Sequence, residues 1–89
     1  MTTTVAIDHE QYTEVATPGQ GPGLITVATK GGVFFRINSA KPANTEPGHF
    51  VAENDNIELT KALSAGNSLW VRGISGYDGV VVKTLDSEV

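Results

Sequence analysis

Turn-forming residues decide what this chain can become. Pro18-Gly19-Gln20-Gly21-Pro22-Gly23, Lys30-Gly31-Gly32, Asn54-Asp55 and the stretch 39–48 with its two prolines break it repeatedly. Proline lacks the N–H that a helix interior or central strand needs, and glycine favours positive φ, so these clusters propagate neither element. The runs between them are rich in β-branched and aromatic residues, which fit a pleated, half-buried surface. The pattern predicts strands at about 4–8, 11–16, 24–29, 33–38, 50–53, 56–60, 68–74 and 79–85. The best helical segment, Thr60-Lys61-Ala62-Leu63-Ser64-Ala65-Gly66, offers at most a turn or two and is read as a turn or short 3₁₀ segment. The expected fold is all-β: a small antiparallel β-sandwich or barrel of about seven to eight short strands.

Period-two alternation assigns faces. The core face is expected to collect Ile25 and Val27, Val33, Phe35 and Ile37, Ile57 and Leu59, Leu69 and Val71, and Val80 and Val82. Lys30-Gly31-Gly32 reads as the tight turn of a hairpin joining 24–29 to 33–38, and Asn54-Asp55 as a second short hairpin. The segment 39–48 reads as an exposed, fairly stiff loop. With 89 residues there is room for a single domain. Within it, residues 1–23 form an N-terminal strand or arm with a Pro/Gly loop, and 24–89 form the sandwich body.

The chain has no cysteine, which excludes a disulfide framework, a thiolate zinc cluster and a thiol nucleophile. Its 6 basic residues against 10 acidic ones give a net charge of -4, and Lys30, Arg36, Lys41, Lys61, Arg72 and Lys83 are widely spaced. Nucleic-acid binding, which depends on clustered cations releasing counterions, is not expected. The start Met1-Thr2-Thr3-Thr4-Val5-Ala6-Ile7-Asp8 has neither basic nor apolar signal regions, and no run has the length of a membrane span. The expectation is a cytosolic product without a membrane partner. Charged residues make up 18% of the chain, below the roughly 25% usual for soluble domains, so part of the surface is expected to be covered by something other than water.

Candidate chemistry is sparse. His9 between Asp8 and Glu10 is a conceivable metal ligand but reads better as a solvated strand end, and His49, after Pro47-Gly48, reads as a ring hydrogen-bonded to loop backbone. Ser75 lacks a nucleophile elbow, and Gly19, Gly21 and Gly23 precede a strand instead of the helix N-terminus a phosphate loop needs. Glu53 and Asp55 read as a solvated turn rather than a calcium site. No catalytic set, metal or cofactor is predicted. The second face carries more information. Phe34 and Arg36, Trp70 and Arg72, and Val81 and Lys83 mix large apolar groups with cations, the residue types enriched at protein contacts. Together with Tyr77 they form the predicted interface set.

From Val33 to Lys83 the chain reads Val33-Phe34-Phe35-Arg36-Ile37-Asn38, then Ser39-Ala40-Lys41-Pro42, Pro47-Gly48-His49-Phe50, Asn56-Ile57-Glu58-Leu59, and Leu69-Trp70-Val71-Arg72-Gly73-Ile74-Ser75-Gly76 before Val80-Val81-Val82. This order resembles the small β-sandwich modules of tailed-bacteriophage virions, over a little more than half the chain. The resemblance implies a non-enzymatic virion structural protein, a capsid decoration or cement protein that bridges capsomers. Its implied partner is the major capsid protein or another virion protein. It also implies a homo-oligomer, with a trimer favoured, made in the host cytoplasm and located in the virion. The segment 1–23 lies outside the resemblance and is read as an arm that orders on a neighbouring subunit. The alternative is a carbohydrate- or receptor-binding module of a fibre or tail component, with Tyr77 or Trp70 stacking on sugar rings.

Overall fold

The computed structural model describes residues 2–74 and 76–86. Eight strands form there: β1 (Thr2–Ile7), β2 (Thr13–Ala16), β3 (Gly23–Val27), β4 (Val33–Asn38), β5 (His49–Val51), β6 (Asn56–Leu59), β7 (Ser68–Gly73) and β8 (Gly79–Leu85). They pair antiparallel into two four-stranded sheets, ordered β1-β8-β3-β6 and β2-β7-β4-β5. The fold is therefore an all-β sandwich, not a barrel. Its strand order is that of a jelly roll, in which every connection except β4–β5 carries the chain from one sheet to the other.

That connectivity corrects the two expected hairpins. Lys30-Gly31-Gly32 is a tight turn, with Gly31 and Gly32 at φ 83 and 98 and the Gly32 N–H donating to the Thr29 carbonyl at 3.0 Å. It passes the chain from β3 in one sheet to β4 in the other. Asn54, at φ 70, likewise turns between β5 and β6 on opposite sheets. A turn's local conformation does not reveal whether its two strands will pair with each other. In the segment read as an N-terminal strand or arm, β1 pairs with β8 along its full length and β2 pairs with β7.

The core fills the space between the sheets with Ile25, Val27, Val33, Leu69, Val71 and Val81, all fully buried, joined by Ile7, Val15, Ile57, Leu59 and Leu63. Phe35 packs on this cluster from its edge, whereas Ile37, expected inside, is 48% exposed at the end of β4. The parity of β8 is the reverse of the expected one. Val81 lies opposite Val5 and Val27 and points inward, so Val80 and Val82 face outward. Lys83 shares the inner side with Val81, yet reaches the end of the sandwich, where its Nζ donates to the Val15 carbonyl at 2.9 Å and to Gln20 Oε1 at 3.0 Å. A Val-Val-Val run gives no alternation of its own, so cross-strand pairing with β1 and β3 decides which valine is buried.

Candidate interaction surface

The outer face of the β2-β7-β4-β5 sheet holds four of the predicted interface residues, arranged by register into rows. Phe34 pairs with Arg72 on one side and with Phe50 on the other. The guanidinium of Arg72 lies 5.3 Å from the ring centroid of Phe34 and 5.3 Å from that of Tyr12, while Phe34 and Phe50 meet edge to face at 5.9 Å. The result is a strip Tyr12–Arg72–Phe34–Phe50 in which the cation sits between two aromatic faces. In the next row Trp70 lies opposite Glu14 and Arg36.

The loop between β4 and β5 folds over one part of this face. Arg36 donates from its terminal Nη1 to the Pro47 carbonyl at 2.7 Å, and its Nε lies 3.1 Å from Glu46 Oε2, close enough for an ion pair though off the hydrogen-bond axis. Trp70 Nε1 donates to the Asn38 carbonyl at 3.2 Å, and the Tyr12 hydroxyl donates to the Glu46 carbonyl at 2.8 Å, which leaves Tyr12 1% exposed. Gly48 is needed where the loop rejoins β5, since a Cβ there would press on the Tyr12 hydroxyl and the Phe35 carbonyl. Much of the polar capacity of Arg36 and Trp70 is thus used within the chain.

Arg72 differs in its partners. Its Nε, like that of Arg36, is buried without a hydrogen-bond partner, but among the described residues no carboxylate forms an ion pair with it. Beside it Phe50 is 56% exposed, the highest exposure among the large apolar side chains of the described residues. Sequence reasoning missed Phe50 as part of the surface. The signal was present, because alternation in His49-Phe50-Val51 puts Phe50 on the opposite side from Val51, which packs on the core.

The remaining predicted residues lie elsewhere. Val81 is fully buried in the other sheet and Lys83 turns inward beside it, so neither joins the Phe34, Arg36, Trp70 and Arg72 face; pairing reversed the parity on which they were grouped. Tyr77 sits in the β7–β8 connection, 41% exposed, with the Lys30 ammonium 5.2 Å from its ring centroid. His49 does not turn to loop backbone but rests its ring against Phe35, 5.2 Å between centroids. Ser75 lies outside the described residues.

His9 is tied down by residues distant in sequence. Asp78 Oδ1 accepts from the His9 backbone N–H at 3.0 Å and lies 2.5 Å from His9 Nδ1, and the Gly73 N–H donates to the Asp8 carbonyl at 3.0 Å. The Asp78 side chain raises the pKa of His9, through the hydrogen bond first and its charge second, and the same bond lowers that of Asp78. Asp8, His9 and Asp78 bring donor atoms within 4.8 Å of one another, a set able to hold a divalent cation, with Asp78 in the place the sequence reading gave to Glu10. Asp8 and Glu10 also line an open cleft of about 480 Å³ against Lys41, Pro42 and Asn44.

Comparison of the chain with protein-family models, with curated proteins and with solved structures returns no match. What the fold and the surface define is a class: a small all-β sandwich with jelly-roll connectivity and an aromatic and arginine strip on one outer face.

Proposed function

We propose that this chain is a non-enzymatic structural protein of a tailed-phage virion, a decoration or cement protein that docks through the outer face of its β2-β7-β4-β5 sheet. The observation that carries the reading is the pairing of Arg72, braced between Tyr12 and Phe34 without an acidic partner among the described residues, with the exposed ring of Phe50. A rigid cation beside an open aromatic group matches a protein surface that offers a carboxylate next to an apolar side chain. Bracing lowers the entropy lost on docking, because the guanidinium is already oriented. A chain that binds the assembled shell and not its free subunits stabilises the shell by mass action, and many copies allow each contact to be weak. Jelly-roll architecture occurs in capsid domains, an analogy of fold and not of site. It occurs in lectins too, and the exposed ring of Tyr77 supports a second reading, a glycan- or receptor-binding module of a fibre or tail.

Co-sedimentation with phage heads from the gene's source tests the proposal. Wild-type protein is expected to bind saturably, and Phe50→Ser to weaken binding at least about tenfold, equivalent to about 1.4 kcal/mol, with an unchanged circular dichroism spectrum. Absence of binding to heads, or full binding by Phe50→Ser, overturns it. A saturable change of tryptophan fluorescence on glycan addition, without head binding, moves the assignment to the second reading.

A further inference from the structure

Among the described residues four edge strands border the two sheets: β1 and β6 on one, β2 and β5 on the other. An edge exposes unpaired backbone N–H and C=O groups, and stable monomers blunt their edges with shortness, charge, proline or bulges. Three of these edges carry such devices. β5 is only 3 residues long and follows Pro47-Gly48. β2 carries Glu14 and a register shift between Glu14 and Ala16. β6 is 4 residues long and includes Glu58. β1, in contrast, is 6 residues, Thr2-Thr3-Thr4-Val5-Ala6-Ile7, without charge or proline, and pairs with β8 in unbroken register from Thr2↔Thr84 to Ile7↔Gly79. Its outer-face neighbours on β8, Val80, Val82 and Thr84, are uncharged as well.

We infer that β1 is a strand-pairing edge whose partner is β1 of a second copy of this chain, antiparallel about a twofold axis. The occupant has to be a strand, because only backbone in extended form matches a row of edge N–H and C=O groups. The chain's own β1 meets the requirement: it is β-prone and uncharged, so two copies of a molecule with net charge -4 approach here without like charges in contact. Charge placement selects the direction. A parallel pair would set the two Asp8-His9-Glu10 segments side by side, about 5 Å apart, whereas an antiparallel pair separates them by about the strand length, some 20 Å. That exceeds the Debye length of about 8 Å at physiological salt. The antiparallel contact is also self-complementary and closed, giving a dimer with one continuous eight-stranded sheet. It leaves the β2-β7-β4-β5 face free, so this inference and the proposed function stand or fall separately.

Sedimentation equilibrium over a wide concentration range tests the pairing, with two substitutions on the same outer face. Wild-type protein should dimerise. Thr4→Lys, which opposes two ammonium groups near the twofold, should be monomeric with an unchanged circular dichroism spectrum. Thr26→Lys, exposed on the interior strand β3, should dimerise as the wild type does. Single cysteines in this cysteine-free chain give a second readout: oxidised Thr4→Cys should form a disulfide-linked dimer and Thr26→Cys should not, since paired strands bring Cα atoms within disulfide reach. A monomeric wild type, a Thr4→Lys dimer as tight as wild type, or loss of the dimer in Thr26→Lys overturns edge pairing, the last in favour of face-to-face stacking.

Discussion

Arg72 shows how much of a residue's role depends on neighbours that local sequence does not supply. Its place on an outward strand position is legible from alternation, but the ring of Tyr12 on its other side arrives from the segment before β2, and Tyr12 is held by the loop 39–48, whose Glu46 carbonyl accepts its hydroxyl. The pair His9 and Asp78 is similar: chain order suggests a solvated strand end, while a 69-residue separation closes into a hydrogen bond. Its pH dependence follows from the two shifts. Asp78, lowered from its ordinary value of 3.8, contributes stability that is present above that value and lost as pH falls through the folded one. His9, raised from its ordinary value of 6.5, contributes stability that is present below that value and lost as pH rises through the folded one. The contact is therefore complete between 3.8 and 6.5. Thermal unfolding across pH should show a melting temperature falling above pH 6.5 in the wild type more steeply than in His9→Gln. Equal slopes would remove His9 from the account.

At the scale of elements, strand existence was legible and strand parity was not always so. The runs predicted at 33–38 and 79–85 coincide with β4 and β8, and the alternation of β3, β6 and β7 correctly placed Ile25, Val27, Ile57, Leu59, Leu69 and Val71 inside. For β8 alternation placed Val80 and Val82 inside and Val81 with Lys83 outside, the reverse of what pairing produces, and Lys83 tolerates the inner side because a long amphipathic side chain still delivers its ammonium to the rim. Substitution separates the two parities. Val81→Ala should cost about 2 kcal/mol in urea unfolding, since it opens space among fully packed core residues, and Val82→Ala less than about 1 kcal/mol. The opposite order would restore the sequence-based parity. Turn glycines gave a mixed result: Gly32 needs its positive φ and also lies where a Cβ would meet the Val51 carbonyl, a close approach created by strand β5.

At the scale of the whole molecule the two sheets are interlocked. Because nearly every connection crosses between sheets, removing the first strands opens both: β1 covers Val81 from one side through Val5, and β2 supplies Val15 and Ala16 to the core. A chain lacking residues 1–16, and with them both β1 and β2, should therefore lose its cooperative urea transition and its β-sheet circular dichroism. A truncated chain that keeps both would revive the separable arm. The proposed docking face and the inferred pairing edge lie on different sheets, so one molecule has room for a shell partner and a second copy together.

The sequence by itself determined that this is a small all-β domain, where its strands and turns fall, and that four mixed aromatic and cationic residues share one sheet face. Those properties come from local sterics and period-two alternation, which each segment carries alone. Only the tertiary structure decided that the turns cross between sheets, that Val81 and not Val82 is buried, that Tyr12 and Phe50 complete the Arg72 strip, and that β1 is the unblunted edge. Each of these depends on which strand lies beside which, and that pairing joins residues too distant in the chain for any local pattern to encode.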